Sequence, residues 1–486
     1  MIQSWNIGLF FTLPLLVAIF HFAPLSTAGR RWLNSMLVAT LSVFIWAWSQ
    51  SDLPQLLLVG GWPHFAGIQW SLDELSLVLL GATLLVYWPA SWALSHRSPQ
   101  MNVIFHFVLA ACFGLILSAD LFNIYVMLEI LTLASALLFI ENKSLSKLKT
   151  YVWMNVVGSV FYLFAIVYLY QNLGTMNLID IGLKWNVFAA NSLLPNLIIA
   201  SLCFAFILKA AIFPLNIWLP EAYALLPKEV QPFMNAVPTK VAIYLMFRLT
   251  SSVGTGSMLQ PIFVLLGSTS LIVGALGLLS KKGLISNLLY FNLSHLGVML
   301  LILTLPNPAE SLLYYLAFDI LVVNALFVLG NQMHDSDRGL ILQGPLFLTV
   351  VGIILMSAIG LPPFGGFWAE VLVIRQTISQ PMLALLILSL TFISILFALR
   401  FWATHFVGPD VEARESTHTG PHQRMVNFNL IYSSALLALF SIVSIWTYDW
   451  AIVWGEQIQK PQRHFEKILQ QPPSRAVPTL ELEEVP

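Results

Sequence analysis

The sequence predicts an all-α integral membrane protein with about fourteen transmembrane helices. Hydrophobic residues make up 58% of the chain and charged residues only 9%, and long runs such as 197–208 and 383–399 carry no charge. Soluble domains contain about 25% charged residues, so the solvent of this chain is expected to be lipid. Because barrel strands alternate polar and apolar residues over about 10 positions, the uninterrupted runs indicate helices, whose backbone groups are satisfied within the segment.

Apolar segments follow one another along the chain, and a span requires about 20 such residues. The predicted spans centre near residues 15, 40, 84, 110, 130, 160, 205, 243, 268, 294, 320, 355, 392 and 438. The N-terminus lacks the features of a signal peptide, so 7–24 is expected to remain as the first span. Between the second and third spans, 56–70 contains Gly60, Gly61 and Pro63 and predicts an extracytoplasmic turn or hairpin.

Basic residues indicate the orientation, because lysine and arginine in short loops favour the cytoplasmic side. The loops after odd-numbered spans contain Arg30, Arg31, Arg97, Lys143, Lys147, Lys149, Lys228, Lys281, Lys282, Arg338, Arg414 and Arg424. Loops after even-numbered spans contain almost none, with Lys184 as the main exception. The odd-numbered loops are therefore predicted to be cytoplasmic and both termini to be outside.

Two spans are predicted to be interrupted. The seventh contains AAIFP at 210–214 and the twelfth contains GLPPFGG at 360–366. Proline removes a backbone donor and collides with the preceding turn, and matching breaks in two halves of a chain indicate a transporter site. Because the breaks are five spans apart, we expect two inverted five-helix repeats, although simple kinks in a helix bundle are the alternative.

This interpretation divides the chain into five parts. They are residues 1–96 with spans 1–3, 97–252 with the first repeat, 253–407 with the second repeat, 408–454 with the last span, and 455–486 as a polar, poorly packed tail.

Ionisable residues inside spans indicate function, because they are costly in lipid unless they are paired or wetted. The strongest candidates are Glu129 in the fifth span, Lys209 before the first break, Lys240 at the start of the eighth span, His295 in the tenth, and Glu370 after the second break, where it is expected to mirror Lys209. Burial and neighbouring charges control the protonation of such groups, and histidine titrates in the physiological range. The row therefore predicts a proton relay whose members titrate together.

Structural alternatives remain open for these candidates. Glu129 could make a structural hydrogen bond, Lys209 and Lys240 could snorkel to an interface, and His295 could be a satisfied core residue.

Four further charged residues are weaker candidates. Arg248, Asp319 and Arg400 each fit a structural ion pair or a position near a helix end. Asp120 is predicted to cap the fifth span.

Other functional classes lack support. The formal net charge is −1, so no nucleic-acid partner is expected. Cys112 and Cys203 lie in apolar stretches and are expected to be buried small hydrophobes, so neither a disulfide framework nor a metal site is predicted. The glycine-rich stretches coincide with helix breaks rather than strand-to-helix turns, and no cofactor is expected.

Several blocks together resemble the antiporter-like subunits shared by Mrp-type multisubunit cation/proton antiporters and respiratory complex I. The blocks are SADLFN at 118–123 with Glu129, LKAAIFPL at 208–215, WLPEAY at 218–223, TKV at 239–241, SHLG at 294–297 and GLPP at 360–363. GGWP at 60–63, with Gly67, Ile68 and Asp73, is similar to D-type Mrp subunits in particular.

The resemblance implies a fourteen-helix fold with two inverted repeats. It also implies that Glu129 pairs with Lys209 and that Lys240 and His295 continue the relay. Other membrane subunits of a hetero-oligomeric complex would be the partners, and protons and Na⁺ the transported ions.

The sequence departs from the family pattern at two places, which comprise three residues. Glu370 stands where D-type subunits usually have lysine, as in one complex I homologue, and Ile285 and Ser286 replace a basic pair at the start of the tenth span.

Three functions follow as hypotheses. The first is a proton-translocating subunit of a Na⁺/H⁺ antiporter, multi-pass in the cell (inner) membrane, and a transporter subunit rather than an enzyme. The second is a proton-pumping subunit of an NADH dehydrogenase or membrane hydrogenase, which would copurify with iron–sulfur or flavin subunits. The third is a membrane subunit that couples a soluble enzyme or solute uptake, with the charged row partly vestigial.

Overall fold

The structure is a computed structural model that describes residues 4–62, 67–139, 145–189, 193–254, 256–280, 283–333, 345–406 and 421–458. Within these ranges the chain is almost entirely helical, which confirms the predicted fold class. Outside the described residues lie the predicted tail beyond residue 458, Pro63 of the predicted hairpin, and the basic residues Lys143, Lys281, Lys282, Arg338 and Arg414.

Nine α-helices cover the chain up to and including the first break. They are α1 (Leu9–Phe20), α2 (Thr27–Ser49), α3 (Glu74–Leu94), α4 (Pro99–Leu117), α5 (Leu121–Leu138), α6 (Leu145–Leu173), α7 (Leu178–Ala189), α8 (Leu194–Lys209) and α9 (Trp218–Tyr223). Short 3₁₀ helices occupy Ser4–Gly8, Val59–Gly61 and Leu215–Ile217. Between α2 and α3, strands β1 (Gln55–Leu58) and β2 (Gln69–Leu72) pair antiparallel, which confirms the predicted hairpin.

Nine further α-helices complete the described part of the chain. They are α10 (Gln231–Ala236), α11 (Pro238–Val253), α12 (Gly256–Ser280), α13 (Leu284–Ile302), α14 (Pro308–Gln332), α15 (Pro345–Ile359), α16 (Gly365–Thr377), α17 (Pro381–His405) and α18 (Pro421–Ile458). Each predicted span centre lies within one of these eighteen helices. The last helix continues to Ile458, beyond the predicted end of the last span at residue 454.

The number of membrane crossings is only partly established by length and composition. Within the described ranges, nine helices are long and apolar enough to span a membrane, and α18, which is bent, brings the number to ten. Three further apolar helices are shorter, and α11 has only 16 residues and carries two basic side chains. The exact count of fourteen therefore stays a prediction.

Side-chain caps set the starts of the helices that lead to the candidate residues. The Asp73 carboxylate accepts a hydrogen bond from the Ser76 backbone N–H at 2.9 Å and begins α3. The Asp120 carboxylate accepts one from the Asn123 N–H at 2.8 Å and begins α5, which confirms the predicted cap. Such caps satisfy backbone donors that a helix leaves unpaired at its N-terminus.

The basic loops meet at one end of the molecule, here called the basic end. The Arg30 guanidinium donates to the Arg97 carbonyl at 2.7 Å, and Arg97 Nε lies 3.0 Å from a carboxylate oxygen of Glu229. The Asn331 side chain donates to the Lys228 carbonyl at 3.0 Å. Loops after the first, third, seventh and eleventh predicted spans therefore lie on the same side, as alternating helix directions require. That the basic end faces the cytoplasm stays a prediction from its lysines and arginines.

Loops after the second, fourth and sixth spans meet at the opposite end. Trp70 of β2 forms a bridge with Ser118, and Asp120 forms a bridge with Asn177.

Helix α14 occupies the middle of the bundle. Every residue of its most apolar 18-residue window is buried, and α3, α10, α13, α15, α16 and α18 all pack against it. An ionisable side chain in this window is therefore shielded from lipid.

Candidate functional site

Asp319 of α14 lies between two basic side chains from other helices. One of its carboxylate oxygens lies 3.0 Å from Lys240 Nζ on α11, and the other lies 2.9 Å from His295 Nδ1 on α13. Asp319 and Lys240 are 0% exposed and His295 is 4% exposed. The three residues, here called the central triad, join a helix of the first predicted repeat to two helices of the second.

Lys240 is held by two further acceptors. Its ammonium donates to the Asn235 carbonyl at 3.1 Å and to the Asn292 side-chain oxygen at 2.5 Å. A lysine ammonium has three donors, so Asp319, Asn235 and Asn292 match them. The snorkelling alternative is therefore wrong for Lys240, which stays inside the bundle.

Tyr315, one turn before Asp319 on α14, extends the triad towards Glu370. Its hydroxyl lies 3.1 Å from His295 Nδ1. Tyr315 also lies within electrostatic range of both Asp319 and Glu370. Tyr315 is not among the residues predicted from the sequence, because a tyrosine in an apolar helix gives no distinctive signal.

The break in the seventh predicted span is confirmed between α8 and α9. Ala211 has a positive φ of 55° there, and the Leu208 carbonyl accepts a hydrogen bond from the Trp218 indole N–H at 3.1 Å. The Phe213 backbone N–H donates to the Ser270 hydroxyl on α12 at 3.0 Å. The backbone groups that the break releases are thus satisfied by protein, as an interruption at membrane depth requires.

The break in the twelfth predicted span is confirmed between α15 and α16, and it has the same construction. Gly360 has a φ of 77°, and the Gly365 N–H donates to the Ser441 hydroxyl on α18 at 3.1 Å. Glu370 lies over this break, because a Cβ on Gly360 would be 3.0 Å from a Glu370 carboxylate oxygen. The other carboxylate oxygen accepts a hydrogen bond from the Thr391 hydroxyl at 2.8 Å.

Glu370 and Lys209 lie on opposite sides of their breaks, as their positions in the sequence indicate, and the expectation that Glu370 mirrors the role of Lys209 stays a prediction. Lys209 is the last residue of α8 and precedes its break, whereas Glu370 lies in α16 and follows its break. Glu370 therefore approaches its break from the opposite side.

Glu129 and Lys209 lie close together but do not form an ion pair. Both are half-buried. Lys209 Nζ donates to the Thr132 hydroxyl at 2.6 Å, one turn after Glu129 on α5, and the Glu129 carboxylate accepts from the Ser159 hydroxyl on α6. Lys209 remains within electrostatic range of Glu129. The predicted pairing is thus electrostatic rather than a direct contact.

Two of the weaker candidates have structural roles. The Arg248 guanidinium forms an ion pair with Asp73 at 2.5 Å and joins α11 to α3, while its Nε donates to the Tyr244 hydroxyl at 2.8 Å. Arg400 donates to the Leu279 carbonyl on α12. Asp319, the third of these weaker candidates, forms ion pairs with two bases from other helices, and the sequence gives no sign of these distant partners.

Known proteins are similar to this chain in sequence and in fold. The family described as NADH:quinone oxidoreductase/Mrp antiporter, TM matches residues 118–396. The protein named "Putative antiporter subunit mnhD2" from Staphylococcus aureus strain JH9 is 29% identical over 372 residues, which cover 72% of this chain and 74% of that protein. The protein of the same name from strain Newman has the same identity and coverage.

Three solved structures share the fold. A chain in the Mrp complex from a Dietzia species has a TM-score of 0.84 at 21% identity, with 96% of this chain and 100% of that chain covered. A chain of the membrane-bound sulfane sulfur reductase, an archaeal respiratory membrane complex, has a TM-score of 0.83 at 19% identity, with 95% and 99% covered. A chain of respiratory complex I from Thermus thermophilus has a TM-score of 0.74 at 20% identity, with 91% and 98% covered.

Proposed function

Because this chain belongs to the NADH:quinone oxidoreductase/Mrp antiporter family and is a multi-pass membrane protein, we propose that it is the proton-translocating subunit of a multisubunit Na⁺/H⁺ antiporter. The proposed relay contains Glu129, Lys209, Lys240, His295 and Glu370. Asp319 is added as the counter-ion of its central part.

The central triad is the observation that carries this proposal. Charged groups inside a membrane protein are costly unless they are paired, and they mark ion pathways. The ion pairs of Asp319 with Lys240 and His295 lie where no residue of the triad is more than 4% exposed. Here one buried carboxylate is paired with two bases.

One carboxylate between two bases couples their protonation. When Lys240 is charged, Asp319 balances it, and a second proton on His295 leaves an excess positive charge in a desolvated place. The Coulomb energy between charges about 4 Å apart is large there. A proton that arrives at His295 therefore favours the departure of a proton from Lys240.

The first half of the relay consists of Glu129 and Lys209. In the structure, hydroxyl groups of Ser159 and Thr132 hold them apart. We propose that Lys209 alternates between Thr132 and Glu129, because rotation of a lysine side chain carries its ammonium across one helical turn. Close approach to Glu129 stabilises the charged ammonium most, because a carboxylate is a stronger partner than the Thr132 hydroxyl, and movement away from Glu129 removes that stabilisation.

The second half runs from His295 through Tyr315 to Glu370. The Tyr315 hydroxyl is both a donor and an acceptor, so it can pass a proton from the imidazole towards Glu370. Around the triad, Asn235 Oδ1, Thr239 Oγ1 and His295 Nε2 are buried without a hydrogen-bond partner in the described chain. Buried water usually satisfies such atoms, and we propose that water connects the triad to Lys209 and Glu370.

The kind of partner subunit and the exchanged cation are inferred from the relatives. The S. aureus relatives carry the name of an antiporter subunit, and the structure with the highest TM-score reported above is an Mrp complex. We therefore place this chain with other membrane subunits in the cell membrane and expect Na⁺ to be exchanged for the protons.

Proton gradients in everted vesicles test the proposal. Vesicles that contain the complete complex, in cells without other Na⁺/H⁺ antiporters, are energised and then given NaCl while a pH-sensitive dye is followed. Wild-type complex is expected to collapse the gradient. Glu129→Gln and Lys240→Gln are each expected to reduce this collapse at least tenfold.

Lys184→Gln is the matched control. Lys184 is an exposed lysine on α7 whose ammonium donates to the Leu173 carbonyl at 2.9 Å, away from the relay. Its exchange should equal that of the wild type. Wild-type exchange in both Glu129→Gln and Lys240→Gln, with the complex assembled, would overturn the proposal.

A proton-pumping subunit of a redox complex is the second candidate. It is favoured by the fold shared with the sulfane sulfur reductase and complex I chains. It predicts that the purified complex contains flavin or iron–sulfur subunits and that gradient formation depends on an electron donor instead of on NaCl.

A further inference from the structure

Two buried histidines lie side by side at the basic end of the molecule, away from the relay. His21 directly follows α1, and His106 lies in α4. Both are 0% exposed, and their ring centroids are 4.7 Å apart with the planes inclined by 46°. They are separated by 85 positions in the sequence, so no spacing rule would pair them.

Each ring has the same hydrogen bond to the backbone. His21 Nδ1 lies 2.9 Å from the Val17 carbonyl, and His106 Nδ1 lies 2.7 Å from the Asn102 carbonyl. A carbonyl oxygen only accepts hydrogen bonds, so Nδ1 must carry the hydrogen on both rings. In a neutral imidazole the other nitrogen, Nε2, then has a free lone pair.

Both lone pairs lack a partner in the described part of the chain. His21 Nε2 and His106 Nε2 are each buried without a hydrogen bond. A buried acceptor that has lost water and gained no donor is unfavourable. Two of them on adjacent rings point to a ligand that accepts both lone pairs.

We propose that His21 and His106 form a two-histidine site for a divalent transition-metal ion of the zinc type. Imidazole is a preferred ligand of zinc, copper and nickel. Metal-ligating histidines characteristically donate their other ring N–H to a backbone carbonyl or a carboxylate, which fixes the tautomer and the orientation of the ring. Both rings already have this second hydrogen bond.

The separation of the rings fits a shared metal ion. Two imidazoles that bind one zinc ion through Nε2 at about 2.0–2.1 Å, with a near-tetrahedral angle, have ring centroids about 5 Å apart. The observed separation of the ring centroids is 4.7 Å, close to this value.

The surroundings set the strength of the site. Within the described ranges, no group of three or more histidine, cysteine, aspartate or glutamate side chains gathers around a common point, so water would supply the remaining ligands. Asn102, one turn from His106 on α4, has an unpartnered buried side-chain oxygen that can accept a hydrogen bond from such a water. Arg30 lies within electrostatic range of His21 and disfavours a cation there. The site is therefore exchangeable, unlike a four-ligand structural zinc site.

Metal binding would tie the end of α1 to α4. These two helices already pack against each other, and α4 is the first helix of the predicted first repeat. The site would therefore stabilise the contact between the N-terminal helices and the repeat that contains Glu129.

Metal content of the intact complex tests this inference. The complex is purified in lipid nanodiscs, stripped with a chelator, equilibrated with Zn²⁺ and desalted, and bound zinc is measured by mass spectrometry. One zinc ion fewer per complex is expected for His21→Gln and for His106→Gln than for the wild type. Cobalt loaded into the wild type should give the visible absorption bands of a tetrahedral site, and these should disappear in both variants.

His405→Gln is the matched control. His405 is also buried, its Nδ1 lies 3.1 Å from the Phe401 carbonyl, and its Nε2 is unpartnered in the described chain, but no second histidine ring stacks beside it in the described chain. Its zinc content should equal that of the wild type. Equal zinc content in the wild type and both histidine variants would overturn the inference. X-ray absorption of the wild type is a second measurement, and a zinc spectrum without imidazole scattering would overturn it even if the variants fail to assemble.

Discussion

Asp319 holds Lys240 at 3.0 Å in a place where neither side chain is exposed. The pair joins α14, in the middle of the bundle, to α11 of the first predicted repeat. Replacing one partner of a buried pair leaves an uncompensated charge, whereas replacing both removes the problem. Comparing single and double variants of the pair therefore distinguishes its contribution to stability from its contribution to proton transfer.

Asp319→Asn is expected to destabilise the protein by about 3–5 kcal/mol, because the Lys240 ammonium is left buried without a carboxylate. The double variant Lys240→Gln/Asp319→Asn is expected to recover most of this loss and yet to remain inactive in proton exchange. Thermal unfolding of the purified complex and dye-based exchange measure the two properties. Additive losses of stability in the double variant would contradict the direct coupling of the two residues.

Gly360→Ala is expected to lower both stability and exchange. Gly360 has a φ of 77°, and an added Cβ would lie 3.0 Å from a Glu370 carboxylate oxygen. The left-handed conformation costs an alanine about 1–2 kcal/mol, and the methyl group would displace the carboxylate. Gly352→Ala on α15 is the control, because its Cβ would meet nothing within 4 Å. It should gain about 0.5–1 kcal/mol from helix propensity. Equal midpoints of unfolding in the two variants would refute this account of the break.

Thr132→Val is expected to slow exchange. The Thr132 hydroxyl accepts a hydrogen bond from the Lys209 ammonium at 2.6 Å. Valine keeps the shape of threonine but has no hydrogen-bond acceptor. A hydrogen bond to a charged group contributes about 1.5–3 kcal/mol, so Lys209 would stay with Glu129 and exchange would fall about tenfold or more. Thr132→Ser keeps a hydroxyl and should restore the rate. A Thr132→Val complex with the wild-type rate would show that Lys209 does not use this resting position.

Asp120→Asn is expected to change how stability depends on pH. Burial raises the pKa of Asp120, between α4 and α5, to about 6, although hydrogen bonds from the backbone N–H groups of Asn123 and Phe122 oppose the shift. Because this folded-state pKa lies above the unfolded value of about 3.9, the native state binds the proton more tightly. The resulting stability is present at low pH and is lost as pH rises from about 4 to about 6.

Asparagine keeps the cap without the charge. At pH 7.5 Asp120→Asn should therefore be more stable than the wild type by up to about 3 kcal/mol, and the two should converge near pH 4. Unfolding midpoints across this range provide the measurement. A difference between the two proteins that does not vary with pH would contradict the burial of the carboxylate.

The individual relay candidates were identifiable from the sequence because each is an ionisable residue in an apolar segment. Lys240, His295 and Glu370 stand out by composition alone. Their partners were not identifiable: Asn292 and Asp319 contact Lys240 from positions 52 and 79 residues away in the chain. Pairing at such distances depends on which helix faces meet, and nearly uniform apolar helices give little indication of their buried face.

The sequence by itself determined the membrane class, the helical spans, the two breaks and the cap of α5, because hydrophobicity, proline and capping act over a few neighbouring residues. Only the tertiary structure decided that Asp319 is shared by two bases, that Lys209 rests on Thr132 instead of on Glu129, and that His21 meets His106. These relationships arise from the packing of helices that are distant in the sequence. Many weak contacts between the helices decide which buried polar side chains become neighbours.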